Sequence, residues 1–568
     1  MQKTSDPEKL AYYRITAAEL ENITAFALRY AAAATDESQK ALLEKVPIHP
    51  AESFHEALQC LRFMTGCLRS SDMNHIGFGR FDQYMMPYLQ RDLDNGTLTL
   101  ESAGELLAEF FLSLNRDSDL YVGVQQGDNG QSLMLGGCDK DGNCVINPLT
   151  YMVLEVSEEL GVIDPKINLR IDKSTPQDLL LCAARLTRRG LGFPQYCNDE
   201  VVIPGLVEFG YDLADARDYT VAACWEFVMP HGRDIPNLLK LNLPLIADRA
   251  IRKTLKAGGS FEDILTQVKV EMTSEWQQLQ DLIDGLKKLF LPDMLFSSFF
   301  SGCLERGMDL HKGGGKYYNF GCHGPGAVNA ANALAVVKAW VFDEKRLTAE
   351  RLLNALENNW DGEEDLRQDI LHNAPQAGNN SDLADEMLQI VFDTFCDVLT
   401  GWLPGERQTR VRPGTGSAQS YVFLTQNQDA NGLHATADGR RDGDFIGSSL
   451  SVAPMTRSQG VLSLFHTFGK LNYKKLINGG PITMELADAY FKDPEALEKT
   501  VLLVRSFVNS GNQQLQLNTL NPDRLRDAQK HPENYRDLVV RVWGWSGYFV
   551  ELAKPFQDQI IGRQAFGA

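Results

Sequence analysis

Apolar residues recur at helical spacing through much of the first part of the chain and are interrupted by short β-rich runs. Residues 1–45 read as helices, Ala-rich around Glu19–Ala34. Ser53 is placed to cap a helix carrying Phe54, Leu58 and Leu61 on one face. The glycines of Asn74–Tyr84 break a helix and its aromatics resume one, which predicts a loop entering a helix. Between Gly130 and Asn147, Gln-Ser-Leu-Met-Leu-Gly-Gly followed by Asp-Lys-Asp-Gly predicts a strand and a tight turn. Tyr151–Leu160 then predicts a helix and Lys166–Ile171 a second strand; another amphipathic helix runs from the break at Thr175-Pro176 to about Arg189. Later helical text covers Thr348–Leu371 and Ser381–Leu399, with strands around Leu515–Asn518 and a closing helix from about Pro555. Strands alternating with covering helices predict an α/β architecture. The chain has no repeat of fixed period. Residues 400–450, rich in Gly, Asn, Asp and Gln, carry the main composition shift, which sets the expected domains at 1–445 and 446–568.

Composition narrows the classes. The 568 residues are 43% hydrophobic and 23% charged, a globular balance. A net charge of −20 argues against a nucleic-acid or anionic-membrane footprint. No apolar run reaches membrane-spanning length, and no apolar core follows Met-Gln-Lys-Thr-Ser-Asp, so the cytoplasm is the expected compartment. The ten cysteines are scattered without a C-x-x-C pair, which suits free thiols in a reducing compartment and predicts no bound metal. Gly313-Gly314-Gly315-Lys316 lacks the Gly-Lys-Ser/Thr ending of a phosphate loop and reads as a tight turn.

Two stretches carry chemistry. Arg541-Val542-Trp543-Gly544-Trp545-Ser546-Gly547-Tyr548-Phe549 is a β-rich run with glycines where side chains would normally pack. The ordinary reading is a kinked edge strand. Glycine is also the one residue whose Cα radical is flanked by nitrogen and carbonyl with no side chain to twist it out of plane. The second stretch is Ala222-Ala223-Cys224-Trp225-Glu226-Phe227. Free cysteine is usually a small buried hydrophobe, but a thiol S–H can exchange a hydrogen atom with a carbon radical. If the segment is extended, Cys224 and Glu226 share a face. The apolar residues around Glu226 predict a buried carboxylate able to act as acid or base.

Arg-Val-x-Gly-aromatic-Ser followed by Phe-Val-Glu-Leu resembles the radical-bearing loop of the glycyl radical enzymes. Cys-x-Glu resembles the cysteine loop of their dehydratase, lyase and decarboxylase branch. Gly-Arg-Phe-Asp-Gln-Tyr at 79–84, Asn-Asp-Glu at 198–200, Ala-Arg-Asp-Tyr at 216–219, Phe-Asp-Glu-Lys at 342–345, Thr-Ala-Asp-Gly-Arg-Arg at 436–441 and Asp-Ala-Gln-Lys-His-Pro at 527–532 extend the match along nearly the whole chain, in the family's order. The departures are Trp543 for a small residue, Trp545 for tyrosine, and Ala-Cys-Trp-Glu for Gly-Cys-Val-Glu. A single cysteine at this point, where pyruvate formate-lyase has two, counts against acetyl transfer to coenzyme A.

The resemblance implies a ten-stranded α/β barrel of two five-stranded half-sheets, wrapped in helices, with a C-terminal glycine radical domain. It implies Gly544 as the modified residue that stores the radical, Cys224 as the thiyl, Glu226 as the proton-moving group and His75 as a contact to substrate hydroxyls, with Ile76 replacing a serine there. His231 and Asp234 are further candidate contacts, the alternative being a solvated turn. The expected reaction is a radical elimination, a dehydration or the breaking of a C–N, C–O or C–S bond in a small organic substrate. No dissociable cofactor is expected; a separate activating enzyme using S-adenosylmethionine and an iron–sulfur cluster would install the radical, and dioxygen would cleave the chain at Gly544. The expected enzyme is anaerobic and homodimeric. The chain also begins well inside the usual family sequence, which implies fewer covering helices. An arylacetate-type decarboxylase, suggested by Trp225, Phe227, Trp543 and Trp545, and a non-catalytic paralogue both stay open.

Overall fold

The computed structural model describes residues 4–70, 75–116, 128–222, 224–230, 232, 234–287, 291–403, 409–415, 432–454, 456–542, 544–563 and 565–566. Its strands, in chain order, are β1 (Ser132–Gly136), β2 (Lys166–Ile171), β3 (Gln195–Asn198), β4 (Thr220–Val221), β5 (Phe227–Val228), β6 (Ile235–Lys240) and β7 (Phe320–His323). The second half adds β8 (Trp402–Leu403), β9 (Thr409–Gly414), β10 (Pro481–Ala487), β11 (Gln514–Leu520), β12 (Val539–Arg541), β13 (Ser546–Tyr548) and β14 (Ala565–Phe566). A six-stranded sheet runs β1-β2-β3-β11-β10-β14 and a four-stranded sheet runs β6-β7-β9-β8.

Within the larger sheet, β1, β2 and β3 are mutually parallel, as are β11, β10 and β14. The two trios join antiparallel, Gln514 opposite Cys197 and Leu515 opposite Tyr196. The expected five-and-five division is therefore six and four among the described strands. The sixth strand of the larger sheet is β14, which adds to the free edge of β10 through Glu485 and Leu486. The segment after residue 446 thus supplies half of the larger sheet.

The two faces of this sheet differ in polarity. On β2, Ile167 and Leu169 join the main hydrophobic core, while Lys166, Asn168 and Arg170 are fully buried on the other face. On β11, Leu515 and Leu517 enter the core while Gln514, Gln516 and Asn518 are buried opposite. Alternation usually separates core from solvent. Here it separates a helix-covered apolar face from a buried polar one.

The helices follow the sequence pattern closely. Phe54–Ser70 starts with the Glu56 amide donating to Ser53 Oγ at 3.2 Å, and Asn147 caps Pro148–Leu160. The helical text over Thr348–Leu371 forms two helices, Ala349–Glu357 and Glu364–Asn373. Asn359 and Trp360 between them adopt left-handed φ of 52° and 65°, which ends the first helix.

Candidate active site

Cys224 lies at the tip of a two-stranded hairpin. β4 and β5 pair antiparallel, Thr220 opposite Val228 and Val221 opposite Phe227. The Trp225 amide donates to Ala222 O at 2.9 Å and the Ala222 amide to Glu226 O at 2.8 Å. Trp225 takes φ +84°, a costly conformation for a bulky residue that surrounding contacts must hold. Gln514 Nε2 on β11 donates to Trp225 O at 2.8 Å. Gly479, at φ +94°, passes close below, where an added Cβ would stand 3.1 Å from that oxygen. The segment is thus a turn, not the extended run that would put Cys224 and Glu226 on one face. Each side chain is positioned by the turn itself.

Gly544 lies in a second hairpin. β12 and β13 pair antiparallel, and the Val542 amide donates to Trp545 O at 2.9 Å, closing the turn that contains the buried glycine. The expected continuous strand is instead folded back on itself, which brings Gly544 to a tip. The Ser546 amide donates to Asp128 Oδ2 at 2.8 Å. Arg541 Nη1 donates to Ser546 Oγ at 3.1 Å. Arg563 Nη1 donates to Arg541 O at 2.8 Å and pairs with Glu485 on β10 at 3.0 Å.

The hairpins meet. The Arg541 guanidinium lies 5.9 Å from the Trp225 ring centroid and 5.6 Å from that of Phe193. Beneath them sits a buried polar cluster in which Lys166 Nζ and Asp128 Oδ1 are 2.8 Å apart and neither side chain is exposed. Burial pushes the Asp128 carboxyl up, but Lys166 and the Ser546 amide outweigh it and hold it below the usual range. Burial, with Asp128 beside it, raises Asp164 to about 8. Burial lowers Arg541 to about 10, so it stays charged at neutral pH.

The Cys224 thiol is pushed up to about 12, first by burial and then by Glu226. A nucleophilic cysteine needs the opposite shift. A hydrogen-atom donor must keep its S–H, and a high pKa keeps it. Burial also raises Cys197 to about 12, but that side chain is enclosed whereas Cys224 is only half-buried. Glu226 is buried, as its neighbours predicted, with Oε1 3.3 Å from Nε2 of fully buried His323 at the end of β7. Asn478 Nδ2 stands 3.4 Å from the same nitrogen.

The sequence profile described as "Pyruvate formate lyase-like" matches residues 5–425, and that described as "Glycine radical" matches 449–550. The chain belongs to the pyruvate formate lyase-like family. It is 28% identical to (2S)-3-sulfopropanediol dehydratase of Klebsiella oxytoca, over 98% of this chain and 73% of that protein. It is 27% identical to trans-4-hydroxy-L-proline dehydratase of Clostridioides difficile, over 93% and 70%. The glycerol-bound B12-independent glycerol dehydratase of Clostridium butyricum superposes with a TM-score of 0.91 at 27% identity, over 99% of this chain and 75% of that one.

The remaining candidate residues of this family member divide. His75 takes φ +59° in the loop that bridges to β1 through Gly77 and Ser132, and burial together with nearby Lys166 lowers its pKa. It packs so tightly on Gly130 that a Cβ there would lie 2.2 Å from its Nδ1. The Gly130 amide in turn donates to Asp128 Oδ1 at 2.8 Å, which sets His75 beside the same cluster. Asp234 is buried elsewhere in a satisfied network. It accepts from Tyr211 Oη at 2.8 Å and Asn319 Nδ2 at 3.0 Å and pairs with Arg412 Nη1 at 3.0 Å. His231 lies outside the described residues. Asp128, Lys166 and His323 escaped the sequence reading. The usable signal was the polar alternation of β2, and for His323 a histidine closing a buried strand.

Proposed function

We propose that this glycyl radical enzyme catalyses radical elimination from a small organic substrate, a dehydration or related lyase reaction, with Gly544 as radical store and Cys224 as thiyl. The observation that carries the reading is the contact of the two hairpins, Arg541 against Trp225, above one buried polar cluster. Gly544 abstracts the hydrogen atom of Cys224, and the resulting thiyl abstracts one from a substrate carbon. Glu226, paired with His323, moves the proton that accompanies loss of the leaving group, and the hydrogen atom returns from Cys224 to the product radical. His75 orients a substrate hydroxyl; Asp234 acts at one remove, through Arg412, whose Nη2 donates to Phe227 O at the base of the Cys224 hairpin, and His231 remains a candidate substrate contact. The relatives that match include dehydratases and isethionate sulfite-lyases at 27–29% identity and an indoleacetate decarboxylase at 25%, and the former favour elimination over the decarboxylase and non-catalytic readings.

The radical is installed by an activating enzyme that uses S-adenosylmethionine and an iron–sulfur cluster, whose chemistry supplies the oxidant. The domain division at residue 446, a homodimer and an anaerobic, cytoplasmic setting complete the proposal. Its test is anaerobic electron paramagnetic resonance after incubation with such an activase, reductant and S-adenosylmethionine. A doublet near the free-electron position, absent in Gly544→Ala, is the expected result. A doublet that persists in Gly544→Ala would remove Gly544 from the role.

A further inference from the structure

Cys138 and Cys144 stand opposite each other in an antiparallel bridge just beyond β1. The Asp139 amide donates to Asn143 O at 2.9 Å and the Val145 amide to Gly137 O at 3.1 Å. These bonds flank the cysteines, so the pair is of the non-hydrogen-bonded kind, whose opposed Cα atoms lie about 4.5 Å apart. Disulfides span Cα separations of about 4.4–6.8 Å, and their Cβ range of about 3.5–4.5 Å meets the lower end of the opposed-pair range, about 4.5–5.5 Å. Both side chains project from the same face of the hairpin. A slight closing of the two strands joins the sulfurs.

The loop between them is already ordered. Asp139 Oδ1 accepts from the amides of Asp141 and Asn143, both at 2.9 Å, and Arg217 Nη1 donates to Lys140 O at 2.9 Å. Cys144 is exposed and Cys138 half-buried, so solution reagents reach the pair. Cys138 Sγ lies 3.5 Å from Arg170 Nη2, and its carbonyl accepts from Arg80 Nη1 at 2.8 Å. Burial raises the Cys138 thiol, and the two guanidiniums oppose that rise.

We propose that Cys138 and Cys144 form a reversible dithiol–disulfide site that reacts with low-molecular-weight disulfides. The Cys144 thiolate attacks one sulfur of the small disulfide, forming a mixed disulfide and releasing one small thiolate. Cys138, deprotonated, then attacks Cys144 Sγ, forming the Cys138–Cys144 bond and releasing the second small thiolate. Two protein thiols are oxidised and one small disulfide is reduced to two thiols. The closed loop is the one that Arg217 holds, three residues ahead of β4 and the Cys224 hairpin, so the oxidised form stiffens the seat of that hairpin.

The test uses the full chain, without activation, in anaerobic oxidised/reduced glutathione mixtures. Acid quenching and tryptic mapping follow, and cleavage after Lys140 separates the two cysteines. The expected product is one pair of peptides joined through Cys138 and Cys144, two titratable thiols lost per chain, and full reversal in excess reduced glutathione. Cys138→Ser should retain glutathione on Cys144 as a stable mixed disulfide, and Cys144→Ser should lose no thiol at this hairpin. Glutathione remaining on Cys144 in the unsubstituted chain, or thiol loss without the linked peptides, would overturn the proposal. None of these readouts depends on radical activity.

Discussion

The Cys224 and Gly544 hairpins have the same outline, two short antiparallel strands and a tight turn, but they are fastened differently. The cysteine hairpin is built into the body of the protein. Val221 and Phe227 belong to a buried cluster with Met134 of β1, Cys197 of β3 and Ile477, and Gln514 of β11 holds its tip. The glycine hairpin packs into a separate cluster, in which Val540, Val542, Trp545 and Phe549 meet Leu552, Phe556 and Ile560 of the closing segment, with Leu245, Leu433 and Ile446 joining from earlier in the chain. Its bonds to the larger sheet are polar: Ser546 to Asp128, and Arg563 between Glu485 and the carbonyls of Arg541 and Val542. A hairpin set in a shared apolar core gives way only with that core. One carried by a separate core and latched by a few polar bonds can detach as a unit, because hydrogen bonds to water replace what it loses.

The largest expected effect tests the division of chemistry between the tips. Cys224→Ser should abolish turnover, because an alcohol O–H is too strong to exchange, yet leave the glycyl doublet intact after activation. Loss of the doublet as well would mean that Cys224 also shapes the glycine hairpin. Next, Glu226→Gln should lower turnover by about 10²–10⁴-fold with the doublet unchanged, the usual range for a proton-transferring side chain. Unaltered kcat/KM in that variant would take the carboxylate out of the mechanism.

Asp128→Asn probes the latch. It leaves Lys166 buried without its carboxylate, at a cost of about 3–5 kcal/mol. Hydrogen exchange should quicken across residues 541–549 and stay slow across 220–228. Equal quickening of both hairpins would mean that the two are fastened alike.

The smallest effect is a pH dependence between pH 6 and 8. Asp164 ionises at about 8 in the folded chain and near 3.8 when unfolded. Between those values the unfolded state has given up its proton and the folded state has not, so stability falls as pH rises through the window and levels off above about 8. The slope is at most about 1.4 kcal/mol per pH unit. Asp164→Asn should flatten the decline in melting temperature between pH 6 and 8; an unchanged slope would assign the decline to other groups.

How much of this was legible in the sequence follows from where each signal is local. The glycine loop, the Cys-x-Glu stretch and the helices announce themselves within a few residues. β2 was readable to the residue because Pro165 and Asp172 bracket it. The inward face was not. Lys166 next to Ile167, or Gln514 next to Leu515, looks in text like a strand with one wet side. That side is covered by the Cys224 and Gly544 hairpins, through Trp225 O on Gln514 and Arg541 on Gln516. The same holds for Glu226 and His323, about a hundred residues apart and joined only by the ends of two different strands.

The β3–β11 pairing has a consequence for how the molecule is made. Cys197 and Gln514 are separated by 317 positions, so β1–β3 leave the ribosome long before their partner strand exists. Through that interval the edge of β3 stays open, and so does a polar face with nothing opposite it. Open strand edges on nascent chains invite pairing with the wrong partner. Translation speed and chaperone supply, rather than the affinity of the finished site, would then set the yield of active enzyme in a producing cell.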